Sequence, residues 1–290
     1  MRLKFLLLLL AVVAFASCKH ASNVDMVAKI VSEWEGKEIV FPESPVFTIQ
    51  GRDTVNFQFL DAPFKILNYV DSTGCMSCKW HLSFWNRLIN ELDSLTEKQV
   101  PVVFFINAPN QTELEIITHR EQFNYPVCYD AEDVLNRLNH FPVEETFKTF
   151  LLDKNNKVLA IGNPVNNPKI KSLYLSLISK GNYQVEELPE TSISIDSAEI
   201  NFGIIEQGSV LQHKITITNI GNEPLTIQEI LPSCDCITTE YAKETIPPAK
   251  SIDIQVEFIA DEKGSFDKSL SIYCNASTSP IEIWLTGEIR

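Results

Sequence analysis

The stretch Val70–Trp80, "VDSTGCMSCKW", carries Cys75 and Cys78 three positions apart, directly after the apolar run "FKILNYV" of residues 64–70. A bare Cys-x-x-Cys is a weak signal in a chain of 290 residues with seven cysteines, so its setting has to carry the reading. The run before it reads as a buried strand, and Ser72 and Thr73 are candidate N-caps. Downstream, Trp85, Leu88, Ile89, Leu92 and Leu95 recur at helical spacing. A thiol at a helix N-terminus meets unpaired backbone N–H groups and the positive end of the helix dipole, which favour its thiolate. Cys75 is therefore the candidate nucleophile. Cys78, one turn on, is the candidate resolving thiol that attacks a mixed disulfide, and Lys79 adds positive charge for thiolate tuning. A metal grip needs further ligands, and His81 brings no fourth partner. Haem attachment needs His directly after the second cysteine, where Lys79 stands. Metal and haem are not expected.

Outward from this point the chain alternates. Residues 19 to about 35 predict a short helix stopped by Gly36, and "KEIVFP" and "TVNFQF" read as strand-like. "VPVVFFINA" (100–108) predicts the most apolar strand and "TELEIITHREQF" (112–123) a helix. A short strand "YPVCYD" and a short helix "DVLNRLNHF" come next. In 149–162 two apolar runs flank turn residues Asp153–Asn156, a hairpin. "NPKIKSLYLSLISKG" closes with a helix ended by Gly181. This order predicts an α/β domain with a central sheet, in which Cys128 is a core thiol rather than a reactive one.

The order strand, Cys-x-x-Cys-Lys, helix, strand, helix, hairpin, helix resembles the thioredoxin-like thiol–disulfide oxidoreductases of bacterial envelopes, over about residues 40–182. The resemblance implies a thioredoxin-like fold, Cys75 as nucleophile and Cys78 as resolving cysteine. Two positions depart from the family pattern. Gly74 stands where Trp usually precedes the first cysteine. Phe147, in "FKTFLLD", stands in place of the cis-proline that faces the disulfide. A non-proline cis bond costs about 3 kcal/mol, so the expected bond there is trans and substrate pairing is altered. A non-catalytic thioredoxin-like binding or scaffolding protein is therefore the alternative to an oxidoreductase.

Past residue 183 the helical periods stop. Residues 183–197 read as a linker, and from 198 to 290 short alternating runs such as "IDIQVEF" (252–258) are separated by turn residues. About seven strands in this span predict an all-β immunoglobulin-like sandwich. The segment resembles a bacterial domain of unknown function built on an abnormal-spindle/hydin-like sandwich, whose usual Cys-Gly-Cys-Thr is here Cys234-Asp235-Cys236-Ile237. A Cys234–Cys236 disulfide would close a small, relatively easily reduced ring. Cys274 is in phase with Leu270 and Ile272 and should point inward, either as a core thiol or paired with Cys234 or Cys236.

At the N-terminus, Arg2 and Lys4 precede the apolar stretch Phe5–Ala16, which is shorter than the roughly 20 residues a spanning helix needs. This predicts an export signal over residues 1–17. "FASC" resembles a lipoprotein lipobox, which implies lipidation of Cys18, a tether over 18–39, and a bilayer as partner in a bacterial envelope, facing the periplasm. The alternative is a plain signal peptide. A formal charge of −14 disfavours nucleic acid as a partner. No Ser/His/Asp set, carboxylate pair or phosphate-binding glycine loop occurs, so no cofactor is expected. The expected partners are exported proteins with thiols or disulfides and a membrane or soluble thiol electron donor.

Overall fold

The computed structural model describes residues 25–73, 80–96, 100–108, 110–183 and 188–290. Cys18, Cys75, Cys78 and Lys79 lie outside the described residues.

The first domain is built on a seven-stranded mixed sheet. Its strands are β1 (Phe47–Ile49), β2 (Asp53–Val55), β3 (Phe64–Val70), β4 (Val102–Ile106), β5 (Val127–Tyr129), β6 (Thr149–Asp153) and β7 (Val158–Ile161), in the order β2-β1-β5-β4-β3-β6-β7. β3, β4 and β5 run parallel, and the other pairings are antiparallel. The helices are α1 (described over 25–34), α2 (Leu82–Thr96), α3 (Gln111–Arg120), α4 (Val134–Asn139) and α5 (Pro168–Ile178).

β4 reads as a continuous apolar run, and β3 as one interrupted by Lys65 and Asn68, because both faces of the sheet are covered. Alternate residues divide between two cores. Ile66, Val70, Val102, Phe104 and Ile106 pack with Trp85 and Leu92 of α2, Leu114 and Ile117 of α3, and Leu175 of α5. Leu67, Tyr69, Val103 and Phe105 pack with Trp34 of α1 and Leu135 of α4. The period-two geometry of a strand thus produces an α/β/α layering. Leu95, on the predicted apolar face, is 54% exposed at the end of α2.

Local chemistry sets the ends of these elements. Asn110 and Asn167 accept from the first-turn N–H groups of α3 and α5. In the β6–β7 hairpin, Asp153 Oδ1 accepts from the N–H groups of Asn155 and Lys157. The fully buried Lys65 donates to the carbonyls of Leu60 and Asp153 and to Asn156 Oδ1. Gly36 and Gly181 both adopt positive φ just beyond their helices. "KEIVFP" forms only the isolated bridge Glu38↔Lys157, and of "TVNFQF" only Thr54 and Val55 are in a strand. β1, paired with β2 on one side and β5 on the other, is a strand that no period in three residues could announce.

The second domain packs two four-stranded sheets face to face. Its strands are β8 (Ile193–Ile195), β9 (Glu199–Ile205), β10 (Val210–Asn219), β11 (Ile227–Pro232), β12 (Ile237–Glu240), β13 (Ser251–Ile259), β14 (Gly264–Cys274) and β15 (Ile281–Ile289). One sheet runs β12-β13-β10-β8 and the other β11-β14-β15-β9. Ile252, Ile254, Val256 and Phe258 share the buried face, as their period of two requires. β8 lies inside the span read as linker, because Ile193–Ile195 pairs with Asn219–Ile217 of β10. Gly221 allows a close approach there: a Cβ would meet Thr191 Oγ1 at 2.2 Å.

Candidate functional site

The described residues nearest the cysteine pair in sequence lie at the C-terminal end of β3 and the start of α2. Asp71, one residue past β3, gathers the groups at that edge. Its Oδ1 accepts from the N–H and hydroxyl of Thr73, at 2.9 and 2.6 Å. Thr73, a candidate N-cap by sequence, donates both its N–H and its hydroxyl to Asp71. Lys148 Nζ donates to Asp71 Oδ2 and, at 3.1 Å, to Glu145 Oε2. Lys148 comes to this edge because it precedes β6, which pairs antiparallel with β3, and its carbonyl accepts from Tyr69 N–H at 3.0 Å. The Lys148 side chain is buried. Burial works against its charge, but its hydrogen bonds to Asp71 and Glu145 outweigh that and hold the ammonium above its ordinary pKa.

Phe147 ends a 3-10 turn, Glu145–Phe147, immediately before Lys148. Among the described residues the one cis peptide is Ser279–Pro280, so the bond before Phe147 is trans. Behind this edge, Asn68 Nδ2 donates to Thr149 Oγ1 at 2.9 Å, while Asn68 Oδ1 is buried without a partner. Tyr69 donates to Asp133 Oδ1 at 2.6 Å, and burial together with that carboxylate raises its phenol.

At the head of α2, His81 has φ +48 and its carbonyl accepts from the N–H groups of Phe84 and Trp85. Its ring is buried, which pushes the imidazole down to about 4, so it is neutral at pH 7. Among the described residues no group of three or more His, Cys, Asp or Glu side chains gathers at metal-binding spacing. No described helix is long and apolar enough to cross a membrane.

The described thiols fall into two kinds. Cys128 and Cys274 are free and buried. Burial pushes the Cys128 thiol up to about 12, and raises Cys274 as well, so neither is a nucleophile at neutral pH. Cys274 points inward, as its phase with Leu270 and Ile272 requires, and stays unpaired. Cys234 and Cys236 are joined to each other on the β11–β12 connection, where the chain crosses from one sheet to the other. A loop this short removes only about 1.6 kcal/mol of unfolded-state entropy, against about 3 kcal/mol for a 15-residue loop.

This loop faces the first domain. Ser83 Oγ donates to Asp235 Oδ1 at 3.2 Å, and Arg87, one turn along the same face of α2, lies 3.8 Å from Glu229 of β11. Tyr273 of β14 donates to the carbonyl of Asn166 at 3.2 Å. Burial, first, raises the carboxyls of both Asp235 and Glu229. Sequence reasoning missed Asp71, Lys148, Ser83 and Asp235, since nothing local separates Lys148 from an exposed lysine or Ser83 from any other helix serine.

Residues 193–289 match a family described as a protein of unknown function (DUF1573). No curated protein matches the chain. Among solved structures, a protein of unknown function from Porphyromonas gingivalis W83 is 20% identical, with a TM-score of 0.32, over 36% of this chain and 49% of that one. The chain thus spans about half the length of that relative. A putative electron transfer protein from Aquifex aeolicus VF5 is 15% identical, with a TM-score of 0.36, over 49% and 97%. Peroxiredoxin Q from Xanthomonas campestris is 13% identical, with a TM-score of 0.35, over 47% and 91%.

Proposed function

We propose that the protein is a lipid-anchored envelope oxidoreductase that exchanges thiols and disulfides with exported proteins through Cys75 and Cys78. Cys75 attacks, Cys78 resolves and Lys79 favours the thiolate. Electrons come from a membrane or soluble thiol donor, and Cys18 carries the anchor. The observation that supports this reading most is the setting of the pair in the chain, between a parallel strand buried on both faces and an amphipathic helix. The entry from that strand is tied down by Asp71, Thr73 and Lys148.

A second reading, a binding or scaffolding lipoprotein without turnover, is favoured by Phe147 and the trans bond before it. One experiment separates the two: titrate the Cys75 thiol and measure the reduction potential of the pair, with Cys75→Ser as control. A thiolate pKa below 7.5 with disulfide exchange on a model substrate supports the enzyme. A pKa near the unperturbed 8.5 without exchange leaves the binding reading.

A further inference from the structure

The β11–β12 connection of the sandwich is the part that reaches the first domain. Asp235, the single residue between Cys234 and Cys236, accepts a hydrogen bond from Ser83 in the first turn of α2 at 3.2 Å. Its carboxylate also lies within electrostatic reach of Arg120 and Glu121 at the end of α3. Arg87 with Glu229, and Tyr273 with the Asn166 carbonyl, add to the contact. Each of these interactions is weak by itself.

Both ends of the connection are tied to the sandwich independently of the disulfide. The Ser233 N–H donates to the Ser269 carbonyl, the Ser269 N–H donates to Ser233 Oγ, and the Ile259 N–H donates to the Cys236 carbonyl. Breaking the S–S bond therefore leaves β11 and β12 in place, and the bond contributes little as a staple because its loop holds one intervening residue. What it constrains is that residue. With its two neighbours joined, Asp235 has few backbone conformations open to it. With them separate, ordering its carboxylate against Ser83 costs conformational entropy. The two halves of the disulfide also differ: Cys234 is buried at 4% exposure, whereas Cys236 is only partly buried and is the half open to attack.

We propose that the Cys234–Cys236 disulfide is a redox-operated latch between the two domains: oxidised, it presents Asp235 to Ser83, and reduced, it lets the docked arrangement loosen. The reductant is a small dithiol. One of its thiolates attacks the Cys236 sulfur, a mixed disulfide forms, the Cys234–Cys236 bond breaks, and Cys234 leaves as a thiolate that takes a proton from water. The second thiol of the reductant gives its proton to water and attacks the reductant sulfur bound to Cys236. The reductant closes as a disulfide and Cys236 is released and protonated. Two electrons pass from the dithiol to the protein. Because the domains share one chain, each meets the other at a high effective concentration, so a several-fold weaker contact shifts the docked fraction without parting the molecule. The latch works whether or not Cys75 and Cys78 turn over.

The test uses the full chain with Cys75→Ser and Cys78→Ser, so that no change at that pair contributes. The readout is hydrogen exchange of residues 83–87, in the domain that does not hold the latch, together with the radius of gyration in small-angle scattering. Full reduction by 1,4-dithiothreitol, verified by alkylation of Cys234 and Cys236, is expected to speed exchange at 83–87 several-fold and to increase the radius, while β13 and β14 keep their exchange rates. Adding Cys234→Ser and Cys236→Ser should give the fast exchange without reductant and abolish the response to it. Asp235→Ala, with the disulfide intact, should give it too. Unchanged exchange at 83–87 after complete reduction overturns the latch and leaves the proposed function untouched. Faster exchange in β13 and β14 on reduction, or a disulfide that dithiothreitol opens only as the sandwich unfolds, makes the bond a staple and overturns the latch as well.

Discussion

Ser83 Oγ and Asp235 Oδ1, 152 positions apart in the chain, are hydrogen-bonded at 3.2 Å. This bond puts the only disulfide among the described residues against the first turn of α2. Arg87–Glu229 and Tyr273–Asn166 are further polar contacts between the same two domains. Such interfaces allow domains to move relative to each other.

Removing Ser83 and Arg87 side chains should therefore uncouple the domains without unfolding either. A chain with Ser83→Ala and Arg87→Ala is expected to lose about 2 to 3 kcal/mol in total, since one hydrogen bond to a carboxylate and one half-exposed ion pair are given up. Its radius of gyration in small-angle scattering should increase. An unchanged radius would show that other contacts hold the domains together.

His81 makes the first domain sensitive to acid. A histidine buried neutral, with its pKa lowered from 6.5 to about 4, binds fewer protons folded than unfolded at pH values between those two. Stability is then fully present above pH 6.5 and falls as the pH drops toward 4. The loss is of order 3 kcal/mol at completion, from 1.36 kcal/mol per pKa unit. Urea unfolding followed by tryptophan fluorescence, in a chain with Trp284 of β15 replaced by Phe, reads this domain, which holds Trp34, Trp80 and Trp85, all buried. His81→Asn, which tolerates positive φ, should flatten the pH dependence of the midpoint between 6.5 and 4.

Lys148→Met should destabilise the first domain by about 3 kcal/mol, because it removes a buried cation shared by Asp71, whose side chain is 18% exposed, and Glu145. Replacing Asp71 by Asn in the same chain should recover part of that loss, as a double-mutant cycle by urea unfolding would read. Additive losses would show that the pair is not coupled.

Replacing both Cys234 and Cys236 by alanine should cost the sandwich no more than about 2 kcal/mol, the small entropic contribution of so short a loop plus modest lost packing at Cys234. Calorimetry on the full chain checks this. A loss of 4 kcal/mol or more would make the disulfide a structural staple.

Much of the fold was legible because burial on two faces leaves a simple signature. "FKILNYV" is β3 residue for residue. The 149–162 hairpin forms where Asp153 and Asn156 provide its turn, and Ile252, Ile254, Val256 and Phe258 do line one core. "KEIVFP" misled because its apolar residues pack without a ladder partner: Ile39 is buried beside Trp34, yet only Glu38 makes a bridge. β8 was hidden by its acidic, proline-bearing approach and its length of three residues.

The sequence by itself determined two α/β and all-β cores, the cysteine pair at the end of an apolar strand, and the inward phase of Cys274. Each follows from periodicity, which is local and repeats over several residues. Only the tertiary structure decided that Lys148 meets Asp71 and that Asp235 meets Ser83. It also decided that Cys234 pairs with Cys236 and not with Cys274. The first two are pairings across 77 and 152 positions, set by antiparallel register and by how two domains touch, which no local pattern encodes; the third, across two positions, is one of the alternatives the cysteine spacing allowed.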